Sequence, residues 1–265
     1  MAVESQIYPT AESPLPANGA PIADREKAPR TSAAPSPLRL SVIIPARNEE
    51  AQIAATIEQV VNAGVAEVIV VDGESSDRTR ELARASGAIV LTSAPGRGQQ
   101  QNLGAQAASG DMLLFLHADT RLPLDFAEHI ASTLRRDGAS AGAFRLRIAG
   151  SGRALRLVEK MADWRSRIFQ LPYGDQAIFL KAETFRRSGG FADVPLMEDF
   201  DLMRRLRREG RVELASASVT TSARRWRKLG VWRATWTNQL CILAHLLGIS
   251  CHRIARWRER IDRSL

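Results

Sequence analysis

The chain has 265 residues, 45% of them hydrophobic and 25% charged, enough for one substantial α/β domain with appendages. Its two cysteines, Cys241 and Cys251, are too few for a disulfide scaffold or a four-ligand zinc site, which fits a reducing, cytoplasmic compartment. The formal net charge of +8 is concentrated late: residues 204–265 hold 15 Lys or Arg against 4 Asp or Glu, a patch suited to nucleic acid, anionic headgroups or substrate phosphates alike.

Residues 1–37 carry 7 of the 12 prolines and almost no bulky apolar side chain, so they read as a disordered tail. Glu4, Gln6 and Glu12 interrupt any signal-like apolar run, and no secretion signal is expected. Leu40–Ile44 reads as a first strand, with Pro45 after it and a helix expected from about Asn48. A second strand, Glu67–Val71, ends at Asp72, and Ser75, Ser76 and Asp77 offer capping oxygens for a helix through Arg84. Ala88–Thr92 is a third strand, followed by a glycine-containing turn and a helix from about Gln99 to Ala108. The fourth strand, Met112–Leu116, runs into His117-Ala118-Asp119. Short, continuously apolar strands alternating with helices predict an α/β fold with a mostly parallel sheet covered on both faces.

Ligands of open parallel sheets bind beyond the carboxyl ends of the strands, and Asp72 and Asp119 both stand at such ends. Two carboxylates there suit a divalent cation carried on a diphosphate, which needs hard oxygen ligands. Taken singly, Asp72 would serve as a helix cap and Asp119 as part of a turn. The stretch Pro95–Gly104 resembles a dinucleotide loop but has Gln101 at the third glycine and follows the third strand. What it retains is Arg97 beside a helix N-terminus, a combination suited to phosphate as well as to a polar surface turn.

Ser41–Glu49, Val70–Asp77, Phe115–Asp119, Gly189-Gly190-Phe191 and Met197–Leu202 occur in an order that resembles the GT-A-fold family 2 glycosyltransferases. Within that family the pattern is most similar to a small bacterial branch often encoded near radical-SAM proteins. The resemblance spans residues 40–202. It implies a catalytic domain over 38–228, an inverting transfer from a nucleotide-diphosphate sugar, most often UDP-linked, to an acceptor it does not identify, and Mg²⁺ or Mn²⁺ as cofactor. It assigns Pro45, Ala46 and Asn48 to the nucleotide pocket, Asp72 to the base and Asp119 to the metal. Arg97, Asn102, His117 and Ala118 are further donor-site candidates, Asp175 and Gln176 sugar or acceptor contacts, and Glu198 and Asp199 the acceptor-activating pair with Asp199 as base.

The chain departs from the family pattern twice. His117 stands where an Asp is usual and Gly73 replaces another. His117 is left with three roles: bonding ribose, ligating the metal or capping a buried strand. Metal dependence is still expected, since one Asp, waters and two phosphate oxygens retain such an ion.

Gly142–Ile148 alternates as a strand, and Arg153–Phe169 shows helical spacing of Leu155, Val158, Met161 and Ile168. Tyr173–Gln176 is a polar turn before the strand Ala177–Leu180. Glu198 and Asp199 open an arginine-rich helix, where acids also complement the helix dipole. Ser222–Trp226 faintly resembles the Gln-x-x-Arg-Trp motif of processive relatives, making Arg224 or Arg225 candidates for neutralising a diphosphate, although a solvated basic loop is the simpler expectation. Residues 229–265 read as basic amphipathic helices forming a hairpin, suited to an anionic membrane surface, to packing on the catalytic domain or to packing in a dimer.

Two rival readings are weaker. A sugar-1-phosphate nucleotidyltransferase would need a glycine-rich activating loop where Pro45–Asn48 stands. A noncatalytic nucleic-acid-binding module would need more than charge, and no helix-turn-helix, zinc or RNA-stacking signature is present, so no nucleic-acid partner is expected.

Overall fold

The computed structural model describes residues 39–263, and the tail expected at 1–37 lies outside them. The first half alternates strand and helix: β1 (Leu40–Ala46), α1 (Ile53–Val61), β2 (Glu67–Asp72), α2 (Thr79–Ala85), β3 (Ile89–Thr92), α3 (Arg97–Ala107) and β4 (Met112–Phe115). There follow β5 (Thr120–Arg121), α4 (Phe126–Leu134), β6 (Ala139–Ala149), α5 (Arg153–Phe169), a 3-10 turn at Gly174–Gln176 and β7 (Ile178–Lys181). The chain then forms α6 (Ala182–Arg187), α7 (Glu198–Glu209), β8 (Arg211–Ser222), α8 (Arg224–Leu229), α9 (Val231–Leu246) and α10 (Cys251–Arg263).

The eight strands form one sheet in the order β3-β2-β1-β4-β7-β6-β8-β5. It is mixed: β3, β2, β1 and β4 run parallel, whereas β7 pairs antiparallel with both β4 and β6. Burial on two faces explains the continuous apolar runs. Val42, Ile44, Met112 and Leu114 join a core with Ile53, Ile57, Phe126 and Ile130, while Ile43, Leu113 and Phe115 pack on the other face against Phe185, Phe191, Leu202 and Met203.

Two expected boundaries shift. The first helix starts at Ile53 rather than near Asn48, because Asn48 sits in the left-handed region at φ 55° and residues 49–52 form a turn. The basic segment expected as a solvated loop is the short helix α8, whose Arg224 and Arg225 face a cavity. Early positions of α5 meet expectation, with Leu155 buried, but Met161 and Ile168 point outward at 45% and 61% exposure. Helical spacing groups residues on a face without saying which face is buried.

The last two helices are anchored to the start of α7. Cys241, Cys251 and Ile254 pack with Met197 and Phe200, and His245 Nε2 lies 3.0 Å from Asp201 Oδ1. In the first half, α3 crosses β1 and β2 at Gly104, where a Cβ would stand 2.5 Å from Ile43 Cγ2 and 3.1 Å from Val71 Cγ2. Gly104→Ala should therefore cost about 1–2 kcal/mol in urea unfolding, the overpacking penalty exceeding a helix-propensity gain of at most about 1 kcal/mol. An unchanged or raised midpoint would show that α3 can lift off the sheet freely.

Candidate active site

The ends of β1 and β2 are in register, with Ala46 beside Asp72. Gln100 of α3 fixes both, its Nε2 donating to the carbonyls of Ala46 (3.0 Å) and Val71 (2.7 Å). Asn48 joins the loops that follow: its N–H donates to Ser75 Oγ and its Oδ1 accepts the Ser76 N–H, both at 2.9 Å. Asp72 is wholly buried, and its Oδ2 accepts the Ser75 N–H at 2.9 Å and lies 3.7 Å from Arg80 Nε. Asp72 Oδ1 has no hydrogen-bond partner.

Beyond the same sheet edge opens a cavity of about 350 Å³. Pro45, Arg97, His117, Ala118, Asp119, Asp175, Glu198, Asp199 and Arg225 are among the residues that line it. Ala46, Asn48, Asp72, Asn102 and Gln176 do not line this cavity. For two of them the side chain is committed elsewhere, in place of the substrate contact expected. Asn102 exchanges two 2.9 Å hydrogen bonds with the backbone of Phe191. Gln176 Oε1 accepts from Arg165, Ser166 and the Tyr173 N–H, and its Nε2 donates to the Phe144 carbonyl at 3.0 Å.

Glu198 and Asp199 are held by backbone and guanidinium. Met197, at φ 75°, turns the chain into α7 so that Glu198 and Asp199 emerge side by side. Asp199 Oδ2 accepts the Gly174 N–H and Oδ1 the Phe200 N–H, both at 2.7 Å. Glu198 is buried and its Oε1 lies 3.3 Å from Arg97 Nη1; burial pushes its pKa up, against the pull of Arg97. A Cβ on Gly174 would stand 3.1 Å from His117 Nε2 and 3.3 Å from Asp199 Oδ2, so the glycine lets these groups converge. Burial and the charge of Arg97 lower His117 to about 3, which keeps the ring neutral near pH 7, and its Nε2 has no hydrogen-bond partner.

Glu49 and Arg258, which were not among the expected site residues, join the expected Arg224 and Arg225 in the cavity lining. Glu49 receives a two-pronged contact from Arg224 at 2.9 and 3.2 Å, and Arg224 Nη2 lies 3.9 Å from Asp119 Oδ2. Burial and then Glu49 raise the Asp119 carboxyl, while Arg224 opposes them. Arg225 donates to Asn238 Oδ1 at 2.8 Å, and Arg258 of α10 joins it in the cavity lining. Arg165 stacks 3.4 Å over the Tyr173 ring. Glu49 belongs to the first motif and was within reach of sequence reasoning; Arg258 carries no motif at all.

The chemistry of this donor set suits a divalent ion shared with a diphosphate, not a cage built by protein alone. Among the described residues no group of three or more His, Cys, Asp or Glu side chains is arranged to hold a metal. Asp119 nevertheless offers a partly open carboxylate beside a second acid, Glu49, at the cavity wall. One or two carboxylates completed by phosphate oxygens and water is an ordinary Mg²⁺ environment.

Asp175 gives a pH test of the site. One carboxylate oxygen is buried without a hydrogen-bond partner, and burial raises the group from 3.8 to about 6, opposed by Arg165 and reinforced by Asp199. The folded protein thus holds this proton more tightly than the unfolded chain, so its contribution to stability falls as pH rises from about 4 to about 6. Asp175→Asn removes that slope. Its stability relative to the parent should increase by about 1–3 kcal/mol between pH 4 and pH 7.5 in urea unfolding, and a pH-independent difference would contradict the buried-carboxyl account.

Residues 41–192 match the family described as "Glycosyl transferase family 2". The chain is 37% identical over 92 residues to the 4,4'-diaponeurosporenoate glycosyltransferase of Staphylococcus haemolyticus, covering 31% of this chain and 24% of that one. It is also 37% identical over 92 residues to the glucosyl-3-phosphoglycerate synthase of Mycobacterium tuberculosis, covering 30% and 28%. The matched stretch thus spans about a quarter of each relative's length. The crystal structure of the mycobacterial synthase with Mn²⁺, UDP and glucosyl-3-phosphoglycerate superposes with a TM-score of 0.52 and 25% identity over 70% of each chain. Staphylococcus aureus TarS 1–349 with UDP-GlcNAc shares the fold at a TM-score of 0.57 and 17% identity, over 70% of this chain and 58% of that one. The motifs, the GT-A-like sheet and these similarities agree: the chain belongs to glycosyl transferase family 2 and is a glycosyltransferase.

Proposed function

We propose that the protein transfers a sugar from a UDP-linked donor to an acceptor hydroxyl by a single, inverting displacement assisted by Mg²⁺ or Mn²⁺. The observation that carries this reading is the opening of Asp119 and Asp199 onto one cavity, with Arg97 and Arg224 between and beside them. The unpartnered Oδ1 of Asp72 supports a role as acceptor for an N–H of the nucleoside base, and Pro45 and Ala118 bound the sugar-diphosphate path. The mycobacterial relative's complex with Mn²⁺ and UDP supports the choice of donor. Within the family we assign the chain, on its motifs, to the bacterial branch encoded near radical-SAM proteins. A cytoplasmic setting accords with two free, buried cysteines.

Asp119 would hold the cation, with Glu49 as its neighbour. When bound, that ion supplies Lewis-acid neutralisation of the departing diphosphate. Arg224 and Arg225 add positive charge where the leaving group collects negative charge. Arg224 is engaged by Glu49, so diphosphate binding would draw it from one anion toward another. Asp199 accepts the acceptor hydroxyl proton as the oxygen attacks the anomeric carbon and the bond to the diphosphate oxygen breaks. Its two backbone hydrogen bonds fix the orientation of the carboxylate. Glu198, tied to Arg97, positions α7 and sets the charge beside the base.

Release of a nucleoside diphosphate from nucleotide sugars separates this reaction from nucleotidyl transfer, which would release pyrophosphate from a nucleoside triphosphate. Asp119→Ala should abolish the Mn²⁺-dependent rise in melting temperature that UDP produces, and chelator should mimic the substitution in the parent. An undiminished Mn²⁺-dependent shift in the variant would remove Asp119 from the metal site. Asp199→Asn keeps shape but not basicity, so it should leave the UDP and Mn²⁺ shifts intact while lowering nucleotide-sugar turnover by at least about 10²-fold. Parental turnover would exclude Asp199 as base; loss of the UDP shift as well would make it a donor-site or folding residue.

A further inference from the structure

Helix α9 is apolar on both sides. Ala234 and Cys241 are buried, and with Asn238 and Ile242 they line the cavity. On the opposite side, at the i, i+4, i+8, i+11 spacing of a single face, stand Trp232, Trp236, Leu240 and Leu243, all exposed and reaching 64% at Trp236. Leu246, Leu247 and Ile249 continue this exposure past the helix end. A helix packed on a domain and facing water normally carries polar residues outward.

Helix α5, which packs against α9, repeats the pattern. Its inward face is Leu155, Glu159, Ala162 and Ser166. Leu157, Met161, Trp164 and Ile168 point out, with Trp164 at 60% exposure. Two helices in contact thus each expose tryptophan and other large apolar side chains, far more than the scattered exposure ordinary for a surface.

The charges around these stripes are mainly of one sign. Arg224, Arg225 and Arg258 face the cavity, but Arg227, Lys228, Arg233, Arg253 and Arg256 are exposed, against one exposed acid, Glu259, in α8 to α10. On α5 the exposed charged residues are Arg153, Lys160 and Arg167, whereas Glu159 is buried against Arg147 and Arg156 and Asp163 is held by Arg145. Exposed tryptophan and leucine flanked by Lys and Arg match a headgroup boundary, where apolar side chains enter the acyl region and cations meet lipid phosphates. Among the described residues no helix is long and apolar enough to cross a membrane.

We infer that the outer faces of α5 and α9 form a docking surface for a bilayer carrying anionic headgroups, on which the protein lies without spanning it. The surface and the cavity are opposite sides of the same helix. Docking requires neither donor nor metal, so it stands or falls separately from the transfer reaction.

The test uses the full chain, sedimented with phosphatidylcholine vesicles with and without phosphatidylglycerol. The parent should bind the phosphatidylglycerol vesicles with a blue shift of tryptophan emission, and should bind them less at high salt. The triple variant Trp164→Gln, Trp236→Gln, Leu243→Gln changes only exposed side chains and should lower partitioning on the order of tenfold or more. Its UDP release from nucleotide sugars without vesicles should equal the parent's, which shows the variant folded. Parental partitioning by the variant, or no binding of the parent to phosphatidylglycerol vesicles, would overturn the inference. So would a parental dimer in analytical ultracentrifugation that the triple variant dissolves while vesicles bind neither protein, since the face would then belong to a second copy. Equal binding to both vesicle types would overturn the anionic specificity.

Discussion

Carboxylates from five positions, Glu49, Asp119, Asp175, Glu198 and Asp199, open onto one cavity, and the site exists only because guanidinium groups interleave them. Arg97 reaches Glu198, and Arg224 bridges Glu49 and the vicinity of Asp119. Like charges brought together and partly desolvated push each other toward the neutral form, which is the direction found for Asp119, Asp175 and Glu198. Asp199 is held in place by the N–H groups of Gly174 and Phe200. A cavity so arranged favours the arrival of further positive charge. Removing one arginine would leave buried acids unpaired, a larger penalty than the pair contributes when intact.

Much of the scaffold was legible because it depends on short-range patterns. Strands buried on both faces must be apolar throughout, and β1, β2 and β4 were visible as such. The parallel register then carried Asp72 and the His117–Asp119 segment to one edge. Antiparallel insertion of β7 between β4 and β6 was not legible, since pairing partners far apart in sequence leave no local mark. Left-handed backbone at Asn48, Glu74, Ala177 and Met197 was equally hidden, because none of these is glycine and the surrounding contacts impose the conformation. That is why the first helix was expected five residues early.

Side-chain commitments separate a motif from a contact. Gln176 and Asn102 are polar, close to the motifs and well placed in sequence, yet their amides are spent on Phe144, Arg165 and Phe191. Arg258, by contrast, comes from the last helix and reaches the cavity only because Cys241, Cys251 and Ile254 pack the C-terminal helices on Met197 and Phe200. The segment expected to be an appendage is therefore a wall of the site. The same packing leaves the opposite face of α9 uncovered, and sequence periodicity alone could not distinguish that face from a core-facing one.

The two departures from the family pattern have different physical readings. At Gly73 a Cβ would come within 3.0 Å of Gln100 Nε2, the amide that holds the carbonyls of Ala46 and Val71. The missing acid is thus exchanged for a strand-end clamp, and a side chain at position 73 would have to displace it. His117 is a different exchange. A carboxylate here would add another negative charge beside Asp175, Asp199 and Asp119, whereas the depressed titration of His117 keeps it a neutral ring. Its unpartnered Nε2 remains available as a donor or an acceptor according to tautomer. The substitution preserves a polar atom at that wall while reducing the repulsion that the arginines must offset.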